Sequence, residues 1–301
     1  MDRLDAMSVL IAAVERGSFS RASRDLGLPL ATVSRKVAQL EAHLNAVLIT
    51  RSTKGLELTP AGRSYVASAR AILEQLTEVE RAAAGEYTEP RGDLVISAPV
   101  MFGRLHVLPI VSAFLESYPA VSVGLVLTDR VVHLQDDQVD VALRIGFLPD
   151  SSLIATRVGS VRRVVCGSPT YLAANGTPQV PDDVTGHNVV SLRSVSSPGS
   201  WHFESAGKDV TVPLSSRLSV STVDAAIDAA LSGVGLFRTL SYQLVEHVRS
   251  QRLNLVLEEF EPPPRPVNVV YDRQHRMALK LRAFLDFAVP QLRQRLAQMT
   301  L

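Results

Sequence analysis

The fold is decided by residues 18–62, which read SFSRASRDLGLPLATVSRKVAQLEAHLNAVLITRSTKGLELTPAG. Ser18 begins a short helical pattern that runs to about Leu26, because its hydroxyl can accept a hydrogen bond from a free backbone amide. Residues 27–29 (Gly-Leu-Pro) then form a turn, and a longer amphipathic pattern follows. A helix before this pair, ended by Gly17, is predicted from apolar spacings of three and four, at Leu4, Met7, Leu10, Ile11 and Val14.

The helix after the turn has an apolar stripe and a polar face. Steps of four, three and four separate the residues of the stripe, Val33, Val37, Leu40 and Leu44. Such a polar face is either the solvated surface of an amphipathic helix or a surface that enters the major groove of DNA. The polar side chains that fall away from the stripe are Thr32, Ser34, Arg35, Lys36 and Gln39.

A small basic hairpin is predicted next. Residues 51–58 read RSTKGLEL, and Lys54-Gly55 is suited to the turn between two short strands. From Arg21 to Lys54 six basic residues stand against two acidic ones, a local net charge of +4. A cationic surface of this kind is what phosphate binding requires. The hairpin therefore has the position and charge of a wing beside a DNA-reading helix.

Residues 3–63 resemble the winged helix-turn-helix of the LysR-type transcriptional regulators. The matching stretches are GSFSRA at 17–22, VSR at 33–35, LE at 40–41 and LTPAG at 58–62. Asn45 replaces the family's usual glycine and still tolerates the left-handed conformation, and Ile49 replaces a phenylalanine. The resemblance implies that Ser34 and Arg35 approach bases and phosphates, and that the wing contacts the minor groove or backbone. The predicted DNA-binding residues are Ser18, Ala31, Thr32, Ser34, Arg35, Lys36, Gln39, Arg51 and Lys54.

A long helix is predicted after the wing, because Thr59 can cap it and Pro60 suits its first position. Its apolar residues alternate steps of four and three, the heptad pattern of a helix that pairs with another copy. They are Tyr65, Ala69, Ile72, Leu76, Val79 and Ala83. The pattern predicts a homodimer, although a helix buried against its own domain would also explain it. The resemblance adds homotetramers, and the sequence does not decide between the two assemblies.

The rest of the chain alternates strand and helix patterns, which predicts an α/β fold with parallel sheets covered by helices. Strands are expected at 94–97, 121–128, 139–145, 188–192 and 267–271, and helices at 104–117, 131–138 and 223–231. The resemblance implies two lobes with the fold of bacterial periplasmic binding proteins. The expected division is 1–59 winged helix-turn-helix, 60–84 linker helix, 85–92 hinge and 93–301 effector-binding domain. Within that domain lobe I covers about 93–163 and 265–301, and lobe II about 164–264.

A ligand is expected between the lobes, because ligands of open α/β sheets lie beyond the carboxyl ends of strands, near helix N-termini. Ser97 and Thr128 follow such strands, where they can cap helices as well as contact a ligand. Arg144 can pair with a ligand carboxylate or with a neighbouring aspartate, and Trp201 and other aromatic residues can line the cleft or lie in the core. The expected effector is a small carboxylate whose identity stays open. The predicted effector-binding residues are Ser97, Ala98, Phe102, Thr128, Arg144, Phe147, Arg193, Ser194, Thr222 and Phe237.

Composition agrees with a regulator. Residues 1–63 have a net charge of +3 and the other 238 residues −2, so the cationic excess lies at the DNA-reading end. Asp2 and Asp5 interrupt any leader pattern, and no apolar run approaches a membrane span, so the cytoplasm is expected. Cys166 is the single cysteine, which excludes an intramolecular disulfide and is interpreted as a core residue. No cofactor or metal is predicted.

Two other functions are compatible with a two-lobed α/β fold. An enzyme would need a nucleophile with its base, a metal cluster or a phosphate loop. The 7 histidines have no metal-ligand spacing, and Ser232-Gly233-Val234-Gly235 lacks the third glycine of a dinucleotide motif. A solute-binding protein would not need a DNA-reading front. The expected partners are therefore double-stranded DNA, a small effector, a second copy of the chain and RNA polymerase, with activation or repression undecided.

Overall fold

The computed structural model describes residues 2–52, 55–83, 89–134, 137–149, 152–192, 199–205, 207–272 and 278–299. The chain begins with three helices, a two-stranded hairpin and a long helix. Their bounds are α1 Arg3–Glu15, α2 Phe19–Leu26, α3 Leu30–Leu44, β1 Ile49–Ser52, β2 Gly55–Leu58 and α4 Pro60–Ala83. Thr59 caps α4 as predicted, because its hydroxyl accepts from the amide of Gly62 at 2.9 Å.

The buried face of α1 differs from the predicted one. The helix buries Ala6, Val9, Leu10 and Ala13, whereas Leu4 is 38% exposed. Small alanine side chains allow α3 and α4 to pack closely on α1, so the apolar spacing of the larger residues marks a neighbouring, half-buried face. Of the predicted set only Leu10 is fully buried.

The turns around α2 and α3 follow the predicted chemistry with two differences. Gly27 and Asn45 both have positive φ and end their helices as expected. Ser18 stands at the N-cap of α2, but its side chain makes no capping hydrogen bond. In the wing Ser52 pairs with Gly55, so Gly55 begins the second strand instead of lying in the turn.

Lobe I is built on a five-stranded sheet with the order β4-β3-β5-β14-β6. The strands are β3 Gly92–Ala98, β4 Val121–Leu127, β5 Val141–Ile145, β6 Ile154–Val161 and β14 Arg265–Tyr271. β3 runs parallel to β4 and β5, but β14 is antiparallel to both β5 and β6. The prediction of parallel sheets is therefore wrong for this side, because the chain leaves the lobe along β6 and returns beside it along β14.

The helices of this lobe share one hydrophobic core with one face of the sheet. They are α5 Val100–Phe102, a π-helical turn Gly103–Val107, α6 Leu108–Ser117 and the C-terminal α10 Leu279–Gln298. The helix predicted at 131–138 is absent from the described residues of that segment. A loop stands there instead, because the Asp137 carboxylate accepts from Arg130 at 2.9 Å and from the amide of His133 at 3.0 Å.

The segment Val100–Ser117 is long and apolar enough to pass for a membrane span by length and composition, against the sequence expectation. Phe102, Val107, Ile110 and Phe114 of this segment are all buried in the core of lobe I. A core helix meets the same criteria, and the packing of these side chains on the sheet identifies it as one.

Lobe II contains shorter sheets. Its elements are β7 Arg163–Gly167, α7 Pro169–Asn175, β8 Val189–Leu192, β9 Ser200–Ser205, β10 Lys208–Pro213, β11 Ser216–Val220, α8 Val223–Leu231, β12 Phe237–Leu240, α9 Val245–Arg249 and β13 Asn254–Val256. β7 pairs antiparallel with β12 and β13, whereas β8 and β11 are parallel. The helix predicted at 223–231 is confirmed, and Cys166 is fully buried as expected. The limits expected for the winged helix-turn-helix, the linker helix, the hinge and the effector-binding domain remain predictions.

Candidate DNA interface and effector cleft

The recognition surface is carried by α3. Val33, Val37 and Leu40 are buried on α1, α2 and the wing, which turns the opposite side of α3 outward. Arg35 and Gln39 are exposed one turn apart on that side. Of the other predicted residues on this helix, Ala31 is exposed, and Thr32 and Ser34 are half-buried. The helix thus presents a guanidinium and an amide to solvent.

Lys36 differs from its neighbours, because it forms an ion pair with Asp5 of α1. The side chain of Lys36 is 22% exposed, so its charge is partly enclosed. The pair joins the first helix to the recognition helix. Spacing along the sequence gave no sign of it, because the partners are 31 residues apart.

The wing is attached to α3 by Glu41, which sequence reasoning placed in a family motif without a role. One carboxylate oxygen of Glu41 accepts from the amides of Leu48 at 2.7 Å and Ile49 at 3.1 Å. A charged acceptor with two backbone donors fixes the direction in which the chain leaves α3. Arg51 lies in β1, paired with Leu56, while Lys54 lies outside the described residues. Ser18 is half-buried in the turn before α2.

A cleft with a cavity volume of about 900 Å³ lies between the two lobes. Its walls come from the carboxyl ends of β3 and β5, the loops after them, the start of α8, and β12. This is the position expected for a ligand site in an α/β fold. The predicted residues that line it are Ser97, Ala98, Thr128, Arg144, Phe147, Thr222 and Phe237.

Three of these lining residues also have structural partners. Thr222 caps α8, where its hydroxyl accepts from the amide of Ala225 at 3.4 Å. Thr128 accepts from the amide of Arg130 at 3.3 Å. The guanidinium of Arg144 donates to the carbonyl of Val132 rather than to an aspartate. Arg144 therefore supports the loop that forms one wall of the cleft.

Phe102 does not line the cleft, so its prediction as an effector contact is wrong. Its ring is fully buried in the core of lobe I, 5.1 Å from the ring of His106 and 5.3 Å from that of Tyr242. The helix carrying it turns its side chain towards the sheet instead of the cleft. Phe147 is on the rim and 79% exposed, whereas Arg193 and Ser194 lie outside the described residues.

The cleft-lining residues that sequence reasoning missed include three arginines, Arg163, Arg238 and Arg265. They begin β7, lie within β12 and begin β14, so nothing in their local spacing connects them. Burial and the neighbouring guanidinium of Arg265 lower the pKa of Arg163 to about 10. Burial, then Arg163 and Arg265, lower the pKa of Arg238 to about 9. Arg163 and Arg238 therefore stay cationic at neutral pH.

Two sets of ion pairs join the lobes around the cleft. Arg104 of lobe I donates to Asp224 at the start of α8, with a distance of 2.9 Å. The chain passes between the lobes twice, from β6 to β7 and again before β14, and these two passages are the crossovers. There Arg162 binds Glu261 through two contacts of 2.8 Å and Glu258 at 2.7 Å. The Arg162 guanidinium thus donates two hydrogen bonds to the Glu261 carboxylate, the bidentate geometry that makes such ion pairs strong. These contacts set how the lobes are held relative to each other.

Comparison with known proteins agrees with both parts of the chain. Residues 4–63 match the family model of the bacterial regulatory helix-turn-helix protein, lysR family, and residues 88–293 match the LysR substrate binding domain. An HTH-type transcriptional repressor of Pseudomonas aeruginosa is 31% identical over 96% of this chain and 92% of its own length. The HTH-type transcriptional regulator CrgA of Neisseria meningitidis is 33% identical over 96% of both chains.

Solved structures agree in fold. The structure of CrgA, described as a LysR-type transcriptional regulator, has 31% identity and a TM-score of 0.62, and it covers 96% of this chain and 98% of its own. Full-length LysG from Corynebacterium glutamicum has a TM-score of 0.70 over 97% and 98% of the two chains. At 20% identity that likeness concerns the fold alone. With a winged helix-turn-helix, a two-lobed α/β domain and family models that together cover most of its length, the chain belongs to the LysR-type transcriptional regulators.

Proposed function

We propose that this regulator binds specific operator DNA through α3 and the wing, as a homodimer, and that a small carboxylate in the cleft between the lobes modulates its binding. The observation that carries the proposal is the presence in one chain of an outward polar helix face and a cleft with basic walls. Arg35, Gln39 and Ser34 are the residues proposed to read bases or phosphates. Pairing of dimers into tetramers, contact with RNA polymerase and a cytoplasmic location belong to the same proposal.

The experiment that tests it measures binding to fluorescent duplex DNA from upstream of the protein's own gene. Binding is measured at two salt concentrations and with random duplex as competitor. Because basic side chains release counterions from phosphates, the affinity should fall as salt rises while resistance to competitor persists. Binding that never exceeds binding to random DNA, repeated with fragments selected from the whole genome, would contradict sequence-specific recognition.

The role of Arg35 has its own test. The Arg35→Ala variant should weaken operator binding by about 1–3 kcal/mol if the guanidinium reads a base. The measurement is fluorescence anisotropy with the operator and with a one-base variant of it. Arg217→Ala is the matched control, because Arg217 is an exposed arginine on β11, far along the chain from α3. Unchanged operator affinity for Arg35→Ala would exclude Arg35 as a reading residue.

The proposal that an effector binds between the lobes rests on the concave shape of the cleft and on its basic residues. Helix N-termini and arginines both favour an anion, and the start of α8 and the basic residues of β7, β12 and β14 face the cleft together. A bound ligand that prefers one arrangement of the lobes can change the spacing of the two DNA-reading units. Operator affinity should therefore change when a bound anion fills the cleft.

A further inference from the structure

Topology brings three of the arginines that line the cleft together at the crossovers between the lobes. Arg163 is the first residue of β7, and Arg265 is the first residue of β14. In the antiparallel pairing of β12 with β7, Arg163 stands opposite Leu240 and Arg238 stands opposite Val165. Residues two apart on paired strands share one face, so Arg163 and Arg238 are diagonal neighbours on the face that borders the cleft.

Arg265 completes the cluster from the side of lobe I. Its Nη1 atom lies near Gly146, where an added Cβ would be 3.7 Å away. Gly146 directly follows β5, so the Arg265 guanidinium stands at the carboxyl end of that strand. All three arginines are half-buried. Charge repulsion from Arg265 contributes to the lowered pKa of Arg163, and repulsion from Arg163 and Arg265 contributes to the lowered pKa of Arg238. The arginine cluster, Arg163, Arg238 and Arg265, is thus one cationic surface with contributions from both lobes.

The arginine cluster has no carboxylate partner among the residues that the structure describes. The two aspartates that line the cleft are engaged elsewhere. Asp224 pairs with Arg104 at 2.9 Å, and Asp129 accepts from the amide of Val100 at 3.1 Å. Half-buried charges of one sign are costly unless an opposite charge compensates them. A cluster of this kind is therefore best satisfied by an anion from solution.

An aromatic wall lies beside the arginine cluster. The guanidinium carbon of Arg238 is 5.4 Å from the ring centre of Phe203 and 6.0 Å from that of Trp201. Stacking on rings fixes the direction of the guanidinium while leaving its N–H groups free for an acceptor. Trp201 is the single tryptophan of the chain and lines the cleft. Its fluorescence should therefore report directly on events at the cluster.

We infer that Arg163, Arg238 and Arg265 bind a compact anion with at least two negative charges, a polycarboxylate or a phosphate group. This inference rests on the proposed function of the cleft as the effector site, and it requires the effector to carry at least two negative charges, on carboxylates or on a phosphate group. Guanidinium groups match both carboxylate and phosphate oxygens through paired hydrogen bonds. Because the cluster draws on strands of both lobes, the bound anion joins them across the crossovers.

The test titrates the full-length protein with succinate, citrate and inorganic phosphate at constant ionic strength, followed by Trp201 fluorescence and by calorimetry. Acetate is the singly charged control. At least one doubly or triply charged anion should bind about tenfold more tightly than acetate, because it forms additional charge-assisted hydrogen bonds with the arginines. Tighter binding of phosphate or of the carboxylates identifies the chemical source. Polyanions that bind no more tightly than acetate would overturn the inference.

Variants locate the site. Arg163→Gln and Arg265→Gln should each weaken the best polyanion about tenfold or more, while Arg217→Gln on the exposed face of β11 should leave its affinity unchanged. Arg238 is kept intact in this series, since it contacts the fluorescent ring. Thermal melts of each variant check that the fold is preserved. Equal affinity in Arg163→Gln, Arg265→Gln and Arg217→Gln would show that the anion binds elsewhere and would overturn the assignment.

A second readout separates this inference from the proposed function. The same protein samples are assayed for operator binding with and without the best polyanion. Polyanion binding that depends on the arginines but leaves operator affinity unchanged supports the anion site and contradicts its role as an effector site. An uncharged or singly charged compound that changes operator affinity, while polyanions fail to bind, overturns the inference and supports the proposed function.

Discussion

Gly62 is the residue that lets the wing lie against the long helix α4. A Cβ built at position 62 would stand 2.0 Å from the carbonyl oxygen of Leu48. The resemblance to the family includes this glycine within LTPAG, but the reason for it appears only when the backbone after α3 is placed against the first turn of α4. Together with the Glu41 carboxylate, Gly62 fixes where the wing stands relative to the recognition helix.

We expect Gly62→Ala to destabilise the N-terminal unit by about 1–3 kcal/mol, since the added methyl group forces backbone to move. The measurement is chemical unfolding, with operator affinity as a second readout. Gly186→Ala is the matched control, because a Cβ at position 186 meets no atom within 4 Å. Equal stabilities of the two variants would show that the wing can shift at no cost.

His106 predicts an acid sensitivity of lobe I. Its Nε2 atom is buried without a hydrogen-bond partner in the described structure, and burial, then Arg295, lowers the pKa of His106 from 6.5 to about 4. The unfolded chain therefore binds a proton at a higher pH than the folded one. Stability should fall as the pH drops from about 6.5 to about 4, and this loss should be complete below that range.

His106→Phe keeps an aromatic ring between Phe102 and Tyr242 and removes the titrating group. The variant should lose less thermal stability than the wild type between pH 7 and pH 4.5, and at neutral pH it should be at least as stable. His202→Phe, at an exposed position on β9, serves as control. A pH dependence of the melting temperature identical to that of the wild type would exclude His106 as the source of the acid sensitivity.

For single residues, the sequence predicted features that follow from local spacing. It missed contacts that depend on packing or strand pairing between elements far apart in the chain. The outward positions of Arg35 and Gln39 follow from the helical period of α3. The pairing of Lys36 with Asp5 requires the packing of two helices. The arginine cluster requires the pairing of β7 with β12 and the return of β14, which no local pattern encodes. Phe102 was misassigned because a strand end gives no direction for the next helix.

Among the elements, α4 combines the two explanations of its heptad pattern, burial against its own domain and an apolar face that can pair with another copy. Ala69 is 1% exposed and packs on its own domain, whereas Ile72 is 44% and Val79 65% exposed. The same heptad pattern thus covers an internal contact at the start of the helix and an uncovered apolar face farther along. The face at Ile72, Leu76 and Val79 is what the dimer proposal uses.

Negative charges placed on this apolar face of α4 should weaken the association of two copies of the chain. The double variant Ile72→Glu, Val79→Glu should raise the dimer dissociation constant about tenfold or more, because each apolar side chain contributes about 1.5–3 kcal/mol when buried. Sedimentation equilibrium measures the change, and operator affinity should fall with it. Thr77→Glu, on the opposite side of α4, is the control variant. An unchanged dissociation constant would mean that copies associate through another surface.

The molecule as a whole is held by two crossovers that meet at Arg162. Its backbone amide donates to the Ser241 hydroxyl at 3.1 Å, and its side chain binds Glu258 and Glu261 from the returning segment. The family resemblance implied two lobes and a return to lobe I at about residue 265, but not this contact between residues 96 and 99 positions apart. The sequence predicted parallel sheets, and the antiparallel return beside β6 is what places these groups together.

Arg162→Leu should destabilise the effector-binding domain by about 1–3 kcal/mol, because it leaves the Glu261 side chain, only 13% exposed, without its charged partner. Glu261→Gln should cost less, since an amide still hydrogen-bonds to the guanidinium. The double variant Arg162→Leu, Glu261→Leu should recover part of the loss, because no buried charge is left unpaired. Chemical unfolding of the wild type, Arg162→Leu, Glu261→Leu and this double variant gives the coupling energy between the two side chains. Strictly additive losses would show that the pair does not stabilise the crossovers.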